Sequence, residues 1–209
     1  MTKLKRMVVY LVGFNILIVG ISFLVTSTYG QSAWDGVYLA VSNIALLSVG
    51  MATFISAASI LAVCYILTKD WHVFLSFVTS VVQSLLIDFY LFLVKTLIPS
   101  DSIPTRLFLF TTGIILMAIG ISIYIQAKYP TNHVDCLMLS ISKRFKLNLR
   151  KSKLIGDSSA ILITLIIANR IPIGTFIVLV SLSPLVQFIS DRISKPISNF
   201  INRTNYSRY

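Results

Sequence analysis

The chain contains no glutamate at all, and only 12% of its 209 residues are charged, about half the share found in a soluble domain. That scarcity excludes an ordinary water-soluble fold. With 56% hydrophobic residues, there is too little polar surface to cover a globule of this size, and a polytopic membrane protein is the comfortable reading. Cysteine is nearly missing too. Cys64 lies in an apolar run and Cys136 in a basic link, so the thiols read as isolated and supply neither a disulfide framework nor a zinc site. Enzyme signatures are lacking: no glycine-rich phosphate loop, nucleophile elbow or Walker lysine occurs, and His72 and His133 have no acidic or thiol partners at metal-ligand spacing. No enzymatic activity, cofactor or metal is expected.

What the chain does have is positive charge. Seven aspartates face 18 Lys and Arg, for a net charge of +11. In a soluble protein that balance would suggest nucleic acid. Here the basic residues gather between apolar runs, where they report membrane orientation, and no nucleic acid is expected. Six apolar spans are read, at Met7–Thr26, Val49–Leu67, Val73–Leu97, Leu107–Ala127, Leu154–Ala168 and Ile171–Ile189. Each is near the ~20 residues that cross a bilayer, apart from the short fifth. The first exceeds a signal-peptide core and reads as a transmembrane helix. The two longer links, Ser27–Ser48 and Lys128–Lys153, show helical spacing at Trp34, Val37, Val41 and Ile44, and at Leu137, Ile141 and Phe145. Each is expected to hold an amphipathic helix.

An internal repeat appears at an offset of one hundred residues. Gly13 pairs with Gly113, Gly20-Ile21-Ser22 with Gly120-Ile121-Ser122, Tyr29 with Tyr129, Asp35 with Asp135, Leu39 with Leu139 and Ser42 with Ser142. These are eight identities in thirty-three gapless positions, where apolar bias would give roughly three. The chain divides into a first three-span repeat, 1–100, and a second, 101–209. Three is odd, so the second copy should lie upside down. Loop charge agrees: Ser27–Ser48 has no Lys or Arg, while Lys128–Lys153 has seven. With Lys3, Lys5 and Arg6 at one end and Arg192, Lys195, Arg203 and Arg208 at the other, the positive-inside rule puts both termini in the cytoplasm. Arg106 and Arg170 are left outside. The fold expected is all-α: six transmembrane helices as an inverted 3+3 repeat, with amphipathic helices after spans 1 and 4.

Several residues could carry chemistry. Asp88 sits deep in the third span, with Ser76, Ser80 and Ser84 at four-residue spacing before it and Lys95 two turns after. This stripe reads either as a polar track for a cation or proton, or as a hydrogen-bonded seam with Asp88 paired to Lys95 or to backbone. Asp35 and Asp135 open the amphipathic segments, either as helix N-caps or as gates at two entrances on opposite faces. Trp34 suits an interfacial anchor. Asp157 introduces the short fifth span and Thr175 begins the sixth, which Pro184 interrupts. Broken spans can build a midplane site, and ordinary caps explain the same residues. Lys143, Arg144, Lys146, Arg150 and Lys151 are expected to contact anionic lipid.

These residues bring a resemblance into view. Tyr29-Gly30-Gln31-Ser32-Ala33-Trp34-Asp35 resembles the Leu-Gly-x-x-Pro-Trp-Asp turn of the YczE/YyaS/YitT group of bacterial integral membrane proteins. Gly120-Ile121-Ser122-Ile123-Tyr124-Ile125-Gln126-Ala127 resembles its Gly-x-x-x-Tyr-Ile-x-Ala helix, and His133-Val134-Asp135-Cys136-Leu137-Met138 its Gly-Pro-Arg-Asp-x-Leu-Met segment. Pro172-Ile173-Gly174-Thr175 and Ser183-Pro184 resemble a Gly-x-Gly-Thr and a Gly-Pro. Ala33, His133 and Val134 depart from the pattern, so no role of the family's Arg carries over. The resemblance implies a multi-pass protein of the bacterial cytoplasmic membrane. A small transporter or permease is the function expected, with a non-transporting accessory or scaffold protein as the alternative, and with a homo-oligomer or membrane-protein partner possible.

Overall fold

The structure, a computed structural model, describes residues 2–98, 102–169 and 171–202. Arg170, Arg203 and Arg208 lie outside the described residues, as does the side chain of Arg150. Eight α-helices account for most of the chain: α1 (Thr2–Ser27), α2 (Ala33–Ala45), α3 (Val49–Thr68), α4 (Leu75–Leu97), α5 (Ile103–Gln126), α6 (His133–Phe145), α7 (Leu149–Ala168) and α8 (Ile173–Asn202). A single 3-10 turn, Trp71–Phe74, leads into α4. The starts follow local chemistry. Ser32, Ser48, Ser102, Asn132 and Asn148 each accept a backbone N–H of the first turn, satisfying donors that a helix leaves orphaned.

Five of these helices are long and apolar enough to cross a membrane: α1, α3, α4 with its 3-10 turn, α5 and α8. The sixth expected span corresponds to α7, which has the same 20 residues as α3 but carries Lys151, Lys153 and Asp157 in its first half. The last helix does not stop at Ile189; it continues to Asn202 through Pro184 and Pro196. A proline removes one helical hydrogen bond, and packing along a neighbour (here α5) lets the helix continue rather than end.

The core is the crossing of α1 on α5. Gly13 faces Ile123 and Tyr124, Gly20 faces Gly113 and Met117, and Gly120 faces Gly13 and Leu17. As numbers rise along α1 they fall along α5, so the two helices are antiparallel. A Cβ on Gly20 would lie 2.6 Å from the Met117 backbone nitrogen; only glycine permits this approach. Around the crossing Phe14, Ile18, Leu24 and Leu109 are fully buried. On its flanks α4 packs against α1 and α8 against α5, while α2 packs on α7 and α3 on α6.

Lys3, Lys5, Arg6, Lys128, Lys143 and Lys195 gather at one end. Lys5 Nζ donates to Phe200 O (3.1 Å), Tyr129 OH to Lys3 O (3.3 Å), and Thr79 Oγ1 to Thr131 O (3.1 Å). Lys143 Nζ reaches Asp70 at 3.1 Å. The start of α1, the start of α4, the α5–α6 link and the end of α8 thus share a face. Tyr29, Phe110 and Gly174 meet at the opposite end.

The two links hold the short amphipathic helices expected of them, and these pack into the bundle. Eight residues of α2, from Ala33 to Ser42, are buried, and its second turn reaches α6, where Tyr38 OH lies 2.6 Å from His133 Nε2. Both helices are drawn into the bundle because their polar first turns find partners there.

Candidate functional site

The first turns of α2 and α6 are built alike. Ser32 Oγ accepts the Asp35 N–H at 3.4 Å and donates to Asp35 Oδ2 at 2.5 Å. One hundred residues on, Asn132 Oδ1 accepts the Asp135 N–H at 2.9 Å, and the Asp135 carboxylate accepts the Tyr124 hydroxyl. The capping reading of the aspartates is therefore corrected: Ser32 and Asn132 hold the caps, and the carboxylates stand three residues inside, bonded to Ser32 and to Tyr124. The two-entrance reading is corrected too. Asp35 and Asp135 line one cavity.

That cavity, partly open and of about 80 Å3, is lined by residues of α1, α2, α4, α5, α6, α7 and α8. Its polar lining includes Asp35, Asp135, Asp157, Lys153, Gln83 and Trp34. Lys153 Nζ stands 3.4 Å from Asp157 Oδ2. Burial pushes Asp35 up to about 6, against the two Ser32 hydrogen bonds that lower it. Gln83 Oε1 and Trp34 Nε1 are buried and make no hydrogen bond to the protein. Leaving such a group unsatisfied costs about 1–3 kcal/mol each, and both atoms are packed away from the accessible space of the cavity. Among the described residues, no three His, Cys, Asp or Glu side chains come together as a metal site.

Beside the cavity lies a hydrogen-bond relay. Ser80 Oγ donates to Ser76 O (2.8 Å) and so accepts from His133 Nδ1 (2.8 Å), leaving Nε2 to accept the Tyr38 hydroxyl. Burial pushes the His133 imidazole down to about 3, keeping it neutral. The relay ties α2 and α4 to α6, and sequence reading had set His133 aside.

The polar stripe on α4 does not act as one track. Ser84 back-bonds to Ser80 O, and Lys95 is exposed and apart from Asp88. Asp88 anchors the start of α3, accepting Ser48 Oγ–H (2.5 Å) and the Gly50 N–H (2.7 Å). This is the backbone form of the seam. Thr175 is buried against Gly30, with its hydroxyl unpartnered, and does not line the cavity. Asp157 and Trp34 do line it, so Trp34 is no interfacial anchor. Cys64 and Cys136 are not isolated: both are buried in one apolar cluster, with their thiols in hydrogen-bond reach.

The larger cleft, about 460 Å3, opens at the basic end among Arg6, Lys128 and Lys195. Near that end, hydrogen bonds from His72 and Lys143 hold the Asp70 carboxyl below the usual range. Lys143, Arg144, Lys146 and Lys151 are exposed.

The family model described as a family of unknown function, DUF6198, matches residues 4–191. The chain is 29% identical over 168 residues to the uncharacterized protein YyaS of Bacillus subtilis, covering 80% of this chain and 84% of that one. It is 25% identical over 140 residues to the uncharacterized membrane protein YczE of the same organism, covering 66% of this chain and 64% of YczE. An uncharacterized Haemophilus influenzae protein is 22% identical over 191 residues, or 91% and 86% of the two chains. No solved structure matches. The apolar helices agree with the membrane character in the name of YczE, and the match over nearly the whole chain settles the affiliation: this all-α membrane protein, similar to YyaS and YczE, belongs to the DUF6198 family.

Proposed function

We propose that the protein is a small membrane transporter that works by alternating access, with its substrate site in the cavity between α2, α6 and α7. One observation carries the reading. Asp35 and Asp135, at the same position of two segments one hundred residues apart, follow opposite ends of an antiparallel pair and line a single cavity. A six-span inverted 3+3 repeat, with α7 as the sixth span, explains that arrangement, and such repeats expose a midplane site to each side in turn. The gathering of basic residues supports a bacterial cytoplasmic-membrane orientation with that end, and both termini, inside. Exposed Lys143, Arg144, Lys146 and Lys151 then meet anionic lipid at the inner surface. No bond-making step is assigned to the protein.

The test is two-sided accessibility. Val134 and Ala33 line the cavity from α6 and α2. Single cysteines there, in a Cys64→Ala/Cys136→Ala background, should react with an impermeant thiol reagent in both right-side-out and inside-out vesicles. Labelling confined to one side would overturn alternating access and favour the accessory reading.

A further inference from the structure

At the basic end three walls bound an open cleft of about 460 Å3, within the range of small-ligand sites. Each wall brings one cation: Arg6, half-buried, from α1, Lys128 from the α5–α6 link and Lys195 from α8. The walls are tied to one another. Lys5 holds the Phe200 carbonyl across α1 and α8, Tyr129 holds the Lys3 carbonyl across the link and α1, and Gln126 Nε2 donates to Ser190 Oγ at 3.0 Å across α5 and α8. No carboxylate lines the cleft, and among the described residues none of its three cations has an ion-pair partner. Nearby helix ends do not cancel them. There α1 begins while α5 and α8 end, a balance of about half a negative charge against three full positive ones. The positive-inside rule asks only for a number of basic residues on one side. It does not ask that cations from three elements face one space.

We propose that this cleft binds a phosphate monoester, carried by a lipid headgroup or by a small soluble molecule at the membrane surface. Three cations from three directions match the three terminal oxygens of the dianion, and the Arg6 fork suits bidentate contact with phosphate. A phosphodiester offers two free oxygens and one charge, and a carboxylate offers the same in a single plane. Ser194 and Asn199 line the cleft as neutral groups for the carrier. Arg6 directly precedes the apolar run that opens at Met7, which sets the cleft at headgroup level. It shares no lining residue with the Asp35–Asp135 cavity, so binding here is independent of transport.

A ligand of the folded chain raises its unfolding temperature by mass action. The whole chain, purified in an uncharged detergent at pH ~8, where a monoester carries close to two charges, is titrated with glycerol 3-phosphate and with dihexanoyl phosphatidic acid. Dimethyl phosphate and dihexanoyl phosphatidylglycerol are the matching diesters, with ionic strength equalised by NaCl. A saturable rise is expected with at least one monoester, half-saturating roughly tenfold below its diester counterpart, the factor that one charged contact supplies. Arg6→Gln, or Lys195→Gln if the half-buried position does not tolerate the change, should raise half-saturation roughly tenfold. Lys95→Gln, which removes the same charge from the end of α4, should leave it unchanged. The monoester that saturates at the lower concentration names the carrier, a lipid or a soluble molecule. No saturable rise with either monoester, equal binding of the diesters, or as large a loss in Lys95→Gln as in the cleft variants would overturn the proposal.

Discussion

The segment from α2 into α3 and the segment from α6 into α7 share a backbone but not an attachment. Leu46 and Lys146 both turn left-handed, at φ 53°, and Lys69 and Asn169 do so at 51° and 52°. Ser42 and Ser142 each donate to the carbonyl of Leu47 or Leu147 at 2.7 Å. Yet α3 is bound to α4 through Asp88, whereas the residue one hundred on is Phe188, half exposed, and α7 makes no comparable contact with α8. Two segments of like backbone geometry are held differently. The α3 side is pinned, and the α7 side, which brings Lys153 and Asp157 to the cavity, is the one left freer to shift.

The largest way to break this contrast is at the pin. Asp88→Leu removes two charge-assisted hydrogen bonds and should cost about 3–4 kcal/mol, while Phe188→Ala should cost under about 1 kcal/mol. Thermal unfolding in detergent measures both; equal losses would mean that the α7 side is held as firmly by other contacts.

A second test separates the paired carboxylates. Asp35 has a folded pKa of about 6, above its ordinary 3.8. Between those values the folded chain holds a proton that the unfolded chain has lost. Its stabilising effect is complete below pH ~4 and is lost as pH rises through ~6, by at most about 3 kcal/mol. Asp35→Asn should flatten that slope. The charged and titratable groups lining the cavity with it are Tyr38 from α2, Tyr124 from α5, Asp135 from α6, and Lys153 and Asp157 from α7; a slope unchanged in the variant would assign it to Asp157, which burial also raises.

The smallest effect sharpens the likeness. Ser42→Ala and Ser142→Ala each delete one short bond to a loop carbonyl and should cost the same, about 1 kcal/mol. A clear inequality would show that the two turns, though alike in geometry, do not bear the same strain.

Much of the frame was legible in the chain. Apolar length marked the long helices, and helical spacing marked α2 and α6. Their depth was not legible, because periodicity tells which face is apolar and not how far a helix sinks. Asp88 was matched to Lys95 or to backbone; the backbone alternative holds, but its partners, Ser48 and Gly50, lie about forty residues away and could not be named from spacing on α4. The partners of His133 are 95 and 53 residues distant, so spacing rules passed it over. Gln83 was hidden between the more regular Ser80 and Ser84. The caps were the avoidable miss: Ser32 and Asn132 stand three residues before an aspartate, a spacing that signals a helix start.

The glycine crossing has a consequence for how the protein is made. The close face of α1 is completed by Gly113 and Gly120, which leave the ribosome about a hundred residues after Gly13 and Gly20. At roughly 5–20 residues per second that is a wait of about 5–20 s, during which α1 rests in the bilayer with its groove open. The first half is thus born unfinished, and only the arrival of α5 gives it a floor.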